Sequence, residues 1–155
     1  MNSMKKIALL IIFCFAMKFV FSKNDNAKEV EKLKQTELDF SKMCGEKGMK
    51  ESFLFYADKD VIKPNEGRFP IIGIDSLRAT YERRKKETFK LEWYPVRAEV
   101  SKSADMGYTF GNWTLTTAEG EKSYGNYCTF WKKQKDRTWK FVLDTGNSTP
   151  DPNKK

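Results

Sequence analysis

Four strand-forming segments with almost no chain between them constrain this fold more than any other feature of the sequence. They run Phe89–Val100, Met106–Thr117, Lys122–Lys133 and Trp139–Thr145, and the stretches that join them are only SKSAD, AEGE and QKDRT. Parallel neighbours need a crossover of roughly a dozen residues or more, so connectors this short join antiparallel strands directly. The C-terminal half therefore reads as one long antiparallel meander.

A period of two divides these strands into faces. Met106, Tyr108, Phe110, Asn112, Thr114 and Thr116 share one side, and Gly107, Thr109, Gly111, Trp113 and Leu115 the other. In the next strand Gly125, Tyr127, Thr129 and Trp131 oppose Tyr124, Asn126, Cys128 and Phe130. No face is purely polar, so both sides of the sheet are at least partly covered. The interior glycines Gly107, Gly111 and Gly125 beside large aromatics have two readings. Either the sheet curves strongly around helices and leaves a hollow, or the rings fill the gaps that the glycines leave.

Ahead of the strands the period is helical. Ala27, Val30, Leu33, Glu37, Phe40 and Cys44 recur at spacings of three and four within residues 24–46, which makes one helical face with Glu37 lying on its apolar stripe. A carboxylate there either reaches a polar partner inside the fold or lies at the edge of the buried face. Gly45 and Gly48 punctuate the chain before a short second helix over about 49–57. Val61-Ile62 and Ile71-Ile72 read as short strands, and Asp75 or Ser76 starts a third helix to about Lys85 with Ile74, Leu77 and Tyr81 on one side. Helices first and strands after predict an α+β domain with helices packed on one sheet face.

The chain resembles the SnoaL-like branch of the nuclear-transport-factor-2-like superfamily, in particular its small secreted members of unknown function. The likeness rests on Glu37, Phe40, Gly48, Phe53, Tyr56, Ala57 and Gly73, then on LEWYPVRAEVSKSADMGYTFGNW and GNYCTFWKKQKDRTWKFVLDTG, and spans about Gln35 to Gly146. Arg137 departs from the pattern, standing where the family usually carries glycine in the last hairpin turn; a type I turn accepts it. The resemblance implies a cone-shaped domain in which N-terminal helices sit in a strongly curved antiparallel sheet. It also implies a pocket between the first helix and the sheet, and a homodimer formed through the outer sheet face. It does not imply one activity, because the superfamily holds isomerases, cyclases, dehydratases, transport adaptors and non-catalytic binding domains.

Met1–Ser22 has Lys5 and Lys6 ahead of the apolar run Ile7–Met17, the pattern of a secretory signal peptide. The alternative is a membrane anchor, but the run is short of the ~20 residues a span needs. The expected organisation is a signal peptide at 1–22, a SnoaL-like domain at 23–146 and a disordered tail at 147–155. Such a protein is secreted or periplasmic, without stable membrane association after cleavage. Cleavage removes Lys5, Lys6 and Lys18, so the formal charge of +8 falls by three. What remains is spread along the chain apart from Arg83-Arg84-Lys85-Lys86, which reads as a solvated face or a favourable helix end, and no nucleic acid partner is expected. Cys44 and Cys128 would survive cleavage, either bridged or as two small buried residues.

The chain has no histidine. That excludes an imidazole-activated nucleophile and removes the commonest ligand of catalytic zinc. No phosphate-binding or dinucleotide fingerprint is present. No metal site or cofactor is expected. One reaction class survives, proton abstraction beside a carbonyl by a carboxylate in an apolar cavity, assisted by a hydroxyl donor. Its candidates are Glu37 or Asp144 as base and Tyr56, Tyr108 or Tyr127 as donor. The competing reading is a binding module whose cavity is lined by Glu37, Phe40, Tyr56, Trp93, Tyr108, Trp113, Tyr127 and Trp131 and takes a small apolar or planar ligand. A third is an accessory dimer with a vestigial pocket.

Overall fold

The computed structural model describes residues 26–84 and 87–154; the segment read as a signal peptide lies outside them. Residues 26–47 form α1, followed by α2 (Met49–Tyr56), β1 (Ala57–Lys63), β2 (Ile71–Ile72) and α3 (Ile74–Glu82). The chain ends in β3 (Phe89–Val100), β4 (Met106–Thr117), β5 (Lys122–Lys133) and β6 (Trp139–Thr149). The architecture is α+β, with helices against one curved six-stranded sheet of order β2-β1-β6-β5-β4-β3.

The sheet is mixed, not wholly antiparallel. β3 to β6 form the expected meander, but β1 joins β6 in parallel, with Ala57 opposite Phe141 and Ile62 opposite Leu143. The pairing is long-range, so no connector length announces it. It continues the sheet past β6 and brings Lys63 beside Asp144. Register shifts at Pro95/Arg97 and Phe130/Trp131 bend the long strands, as bulges do.

Leu33, Glu37, Phe40 and Cys44 of α1 are buried as their spacing requires, but the stripe continues through Glu29 where Ala27 and Val30 were expected. Glu29 is buried because Lys133 of β5 meets it at 2.6 Å. Burial pushes its pKa up, while hydrogen bonds from Lys133 and Lys32 outweigh that and hold it below 4.5. Cys44 and Cys128 are both free: Cys44 is in the core and Cys128 is half-buried on the other side of the sheet.

Two further expectations change. Asn147, Ser148 and Thr149 pair with Asn126, Gly125 and Tyr124, so the sheet extends into the segment read as a disordered tail. Backbone pairing along the edge of β5 decides this, not side-chain composition. Arg137 sits at φ 69, so its turn does use the left-handed conformation that the usual glycine would favour. Arg137→Gly is expected to stabilise the fold by about 1 kcal/mol, because a side chain in that conformation costs ~1–2 kcal/mol. A urea midpoint that fails to rise would show that the 3.9 Å contact of Arg137 with Glu29 offsets the strain.

Candidate functional site

The glycines are explained by the side chains packed on them. A Cβ on Gly125 would lie 2.2 Å from Trp113, one on Gly111 2.7 Å from the Tyr127 ring, and one on Gly107 2.7 Å from Leu33. Gap-filling, left open by the sequence, is therefore what these glycines permit, on a sheet that is also curved. The side facing the helices carries Gly107, Thr109, Gly111 and Trp113 on β4 and Gly125, Tyr127, Thr129 and Trp131 on β5. Glycine gives the Tyr127 and Trp113 rings room on the strands, Gly107 lets Leu33 of α1 come close, and a hollow of about 230 Å³ remains. Phe40, Phe53, Leu91, Trp93, Trp113 and Leu115 give it apolar walls.

Two polar poles break those walls. At the first, Glu37 is fully buried. Trp93 Nε1 donates to its Oε1 at 2.5 Å, Trp131 Nε1 donates to its Oε2 at 3.2 Å, and the Thr109 hydroxyl also donates to Oε2. Trp131 Nε1 lies 2.9 Å from Thr109 Oγ1 as well, which leaves the hydroxyl proton directed at the carboxylate. An indole N–H can only donate, so the cluster is built for a carboxylate acceptor, and three of its roughly four lone-pair positions are taken. Burial nevertheless raises the Glu37 pKa to about 7. The Thr109, Trp93 and Trp131 donors pull it down, and the Asp144 charge adds to the rise. Glu37 is thus poised near neutrality.

At the second pole, Asp144 accepts from Thr129 Oγ1 at 2.9 Å and pairs with Lys63, whose ammonium lies 5.0 Å from the Phe53 ring centroid. Lys63, Thr129 and Asp144 all line the hollow. The Tyr127 hydroxyl is buried with no hydrogen-bond partner among the described residues. Burial, with Glu37 and Asp144 nearby, pushes its pKa up, so it remains a protonated donor. A buried donor without an acceptor costs about 1–3 kcal/mol.

The residues expected at the site separate cleanly. Glu37, Phe40, Trp93, Trp113, Tyr127 and Asp144 line the hollow. Trp131 stands behind its wall, holding Glu37. Tyr56 does not line it; the ring is half-buried against Phe40 with 4.8 Å between centroids. Tyr108 lies on the opposite sheet face beside Phe130, 6.3 Å between centroids, as its parity with Thr109 dictates. Sequence reasoning missed Thr109, Thr129 and Lys63. The two threonines share the face of Tyr127 and Trp131, so alternation held the signal for them; Lys63 carried none.

No family model and no curated protein sequence matches the chain. Solved structures do match its fold. A ketosteroid isomerase-like protein from Erwinia carotovora superposes at a TM-score of 0.65 with 15% identity, over 79% of this chain and 98% of that one. A nuclear-transport-factor-2-like protein of unknown function from Pseudomonas putida gives 0.67 with 8% identity, over 82% and 91%. A candidate scytalone dehydratase from Novosphingobium aromaticivorans gives 0.65 with 16% identity, over 82% and 88%.

Proposed function

We propose, from a nuclear-transport-factor-2-like fold whose hollow keeps one tyrosine hydroxyl unpartnered, that this chain binds a small, uncharged, mostly apolar molecule bearing an oxygen acceptor. The single observation that carries the reading is Tyr127, a residue of the lining whose buried hydroxyl has no partner among the described residues to accept from it. Drug-sized ligands take roughly 300–1,000 Å³, so a hollow of about 230 Å³ suits a smaller, planar molecule stacked among Phe40, Trp93 and Trp113. A neutral ligand fits because Lys63 is already paired with Asp144, which leaves no free cation among the described residues of the lining to hold an anion. Native mass spectrometry of the purified chain is expected to find such a molecule, and Tyr127→Phe to weaken its retention about tenfold, the scale of one lost hydrogen bond. Retention unchanged by that substitution would remove the reading.

A second reading is favoured by one further observation, a carboxylate poised near pH 7 on the same wall. If the ligand carries a carbonyl, the remaining lone pair of Glu37 takes the proton from the adjacent carbon. The C–H electron pair moves into the enolate, and the Tyr127 hydroxyl stabilises the oxygen where charge develops. Return of the proton to another carbon gives isomerisation; loss of a β-hydroxyl as water gives dehydration. The names of the Erwinia and Novosphingobium proteins support that class. Glu37→Gln should abolish deuterium exchange at an acidic carbon of a bound ketone, while Asp144→Asn, acting through Lys63 and Thr129, should slow it less. Normal exchange in both variants would leave only the binding role.

We read the domain further as exported and dimeric. Tyr94, Val96, Phe110 and Phe130 are exposed on the outer face of the sheet, next to half-buried Tyr108 and Cys128. Apolar side chains exposed together on one sheet face, around the Arg97–Glu99 ion pair, suit an association face, and here a second copy would cover it. Light scattering of the chain is expected to give a dimer and of Phe110→Asp a monomer; a monomeric parent chain would sink the assignment.

A further inference from the structure

At the β2 edge of the sheet, a groove of about 760 Å³ runs between the 64–70 loop with β2 and the outer side of α3. Its charged lining is of one sign. Arg68 comes from the loop, and Arg83 and Arg84 stand past the C-terminus of α3, with no carboxylate in the lining. None of the three forms an ion pair among the described residues, whereas Glu82 on the same helix pairs with Lys50. Arg84 instead lies over the Tyr81 ring, 4.8 Å from its centroid. Apolar side chains stand between the cations: Phe69 is 94% exposed and Ile72 61%.

The placement is unusual on both counts. A phenylalanine held almost wholly in water gains nothing from burial. Unpaired guanidiniums are well suited to forked hydrogen bonds with carboxylates. β2 is also an end strand of the sheet, paired to β1 on one side and, among the described residues, to no strand on the other. An extended chain laid along it would meet free backbone groups.

We propose that this groove binds an extended acidic peptide segment carrying an apolar anchor residue. The carboxylates engage Arg68, Arg83 and Arg84, and the anchor packs on Phe69 and Ile72. A chain lying in the groove reaches cations on both of its walls at once. A lipid surface, being flat, meets the rims and not the walls, so the concavity favours a peptide over an anionic membrane. The site is separate from the hollow under α1 and does not depend on what that hollow holds.

The test uses the full chain and a fluorescein-labelled peptide of alternating glutamate and leucine, followed by anisotropy. Binding is expected at low salt and should fall steeply at about 0.5 M salt, where screening acts within a few ångströms. Arg68→Glu combined with Arg83→Glu should weaken it at least about tenfold, and Phe69→Ala about threefold or more. Arg97→Glu, an exposed arginine of β3 that pairs with Glu99, should leave it unchanged. Arg84→Gln repeats the test without reversing a charge. Three results would each overturn the assignment: equal binding of the same peptide with glutamine for glutamate, equal loss in the Arg97 variant, or sedimentation with phosphatidylserine vesicles by a chain that ignores the peptide.

Discussion

Glu37→Gln is expected to flatten a fall in stability that the parent chain shows between pH 4.5 and about 7. The sign follows from proton linkage. Burial raises the folded-state pKa of Glu37 from 4.5 to about 7, so within that window the folded chain keeps a proton that the unfolded chain has released. Stability from this group is complete below 4.5, declines as pH rises through the window, and is level above 7. One proton held only by the folded chain removes about 1.4 kcal/mol of stability for each pH unit crossed, so the whole decline amounts to roughly 3 kcal/mol. Glu29 has the opposite sign, its stabilisation being lost as pH falls below 4.5, so the two effects occupy different windows. Urea unfolding of both chains at several pH values separates them. A parent chain no steeper than the variant between pH 5 and 7 would mean that Glu37 stays ionised under its three donors, and the base would then be too weak for the chemistry proposed.

Gly125→Ala is expected to be strongly destabilising for the addition of a single methyl group. Its Cβ would stand 2.2 Å from two atoms of the Trp113 indole and 2.1 Å from the backbone oxygen of Asn147. The indole cannot retreat freely, since Trp113 Nε1 donates to the Asn126 carbonyl at 3.1 Å, and the strand backbone cannot retreat without opening the β5–β6 ladder. Overpacking of this kind costs about 3 kcal/mol or more, enough to lower the melting temperature by roughly 10 °C. Gly45→Ala is the control. That glycine lies in α1 with open space around its Cβ position, so alanine should stabilise by roughly 0.5–1 kcal/mol. The same substitution thus has opposite signs at two sites. Equal tolerance at both would mean that Trp113 does not rest on Gly125, and the hollow beside it would lose one wall.

The site was legible to the extent that its parts were local. The stripe of α1 put Glu37 on the buried side beside Leu33 and Phe40, and strand alternation put Tyr127 with Trp131. Which of two tyrosine parities faced inward was not legible, because alternation divides residues into two sets without saying which set meets α1. Hence Tyr108 was expected at the cavity and lies behind it.

From residue order alone came the helix ahead of the meander and the bounds of β3, β4 and β5, since period and connector length are properties of neighbouring residues. Tertiary structure alone decided the rest: the parallel docking of β1 on β6, the burial of Glu29 under Lys133, the pairing of Lys63 with Asp144 and the growth of β6 to Thr149. Each of these joins groups that are distant in sequence or edges that only an assembled sheet presents. A charged side chain is worth burying only once its partner has been brought within reach, and no local pattern records that meeting.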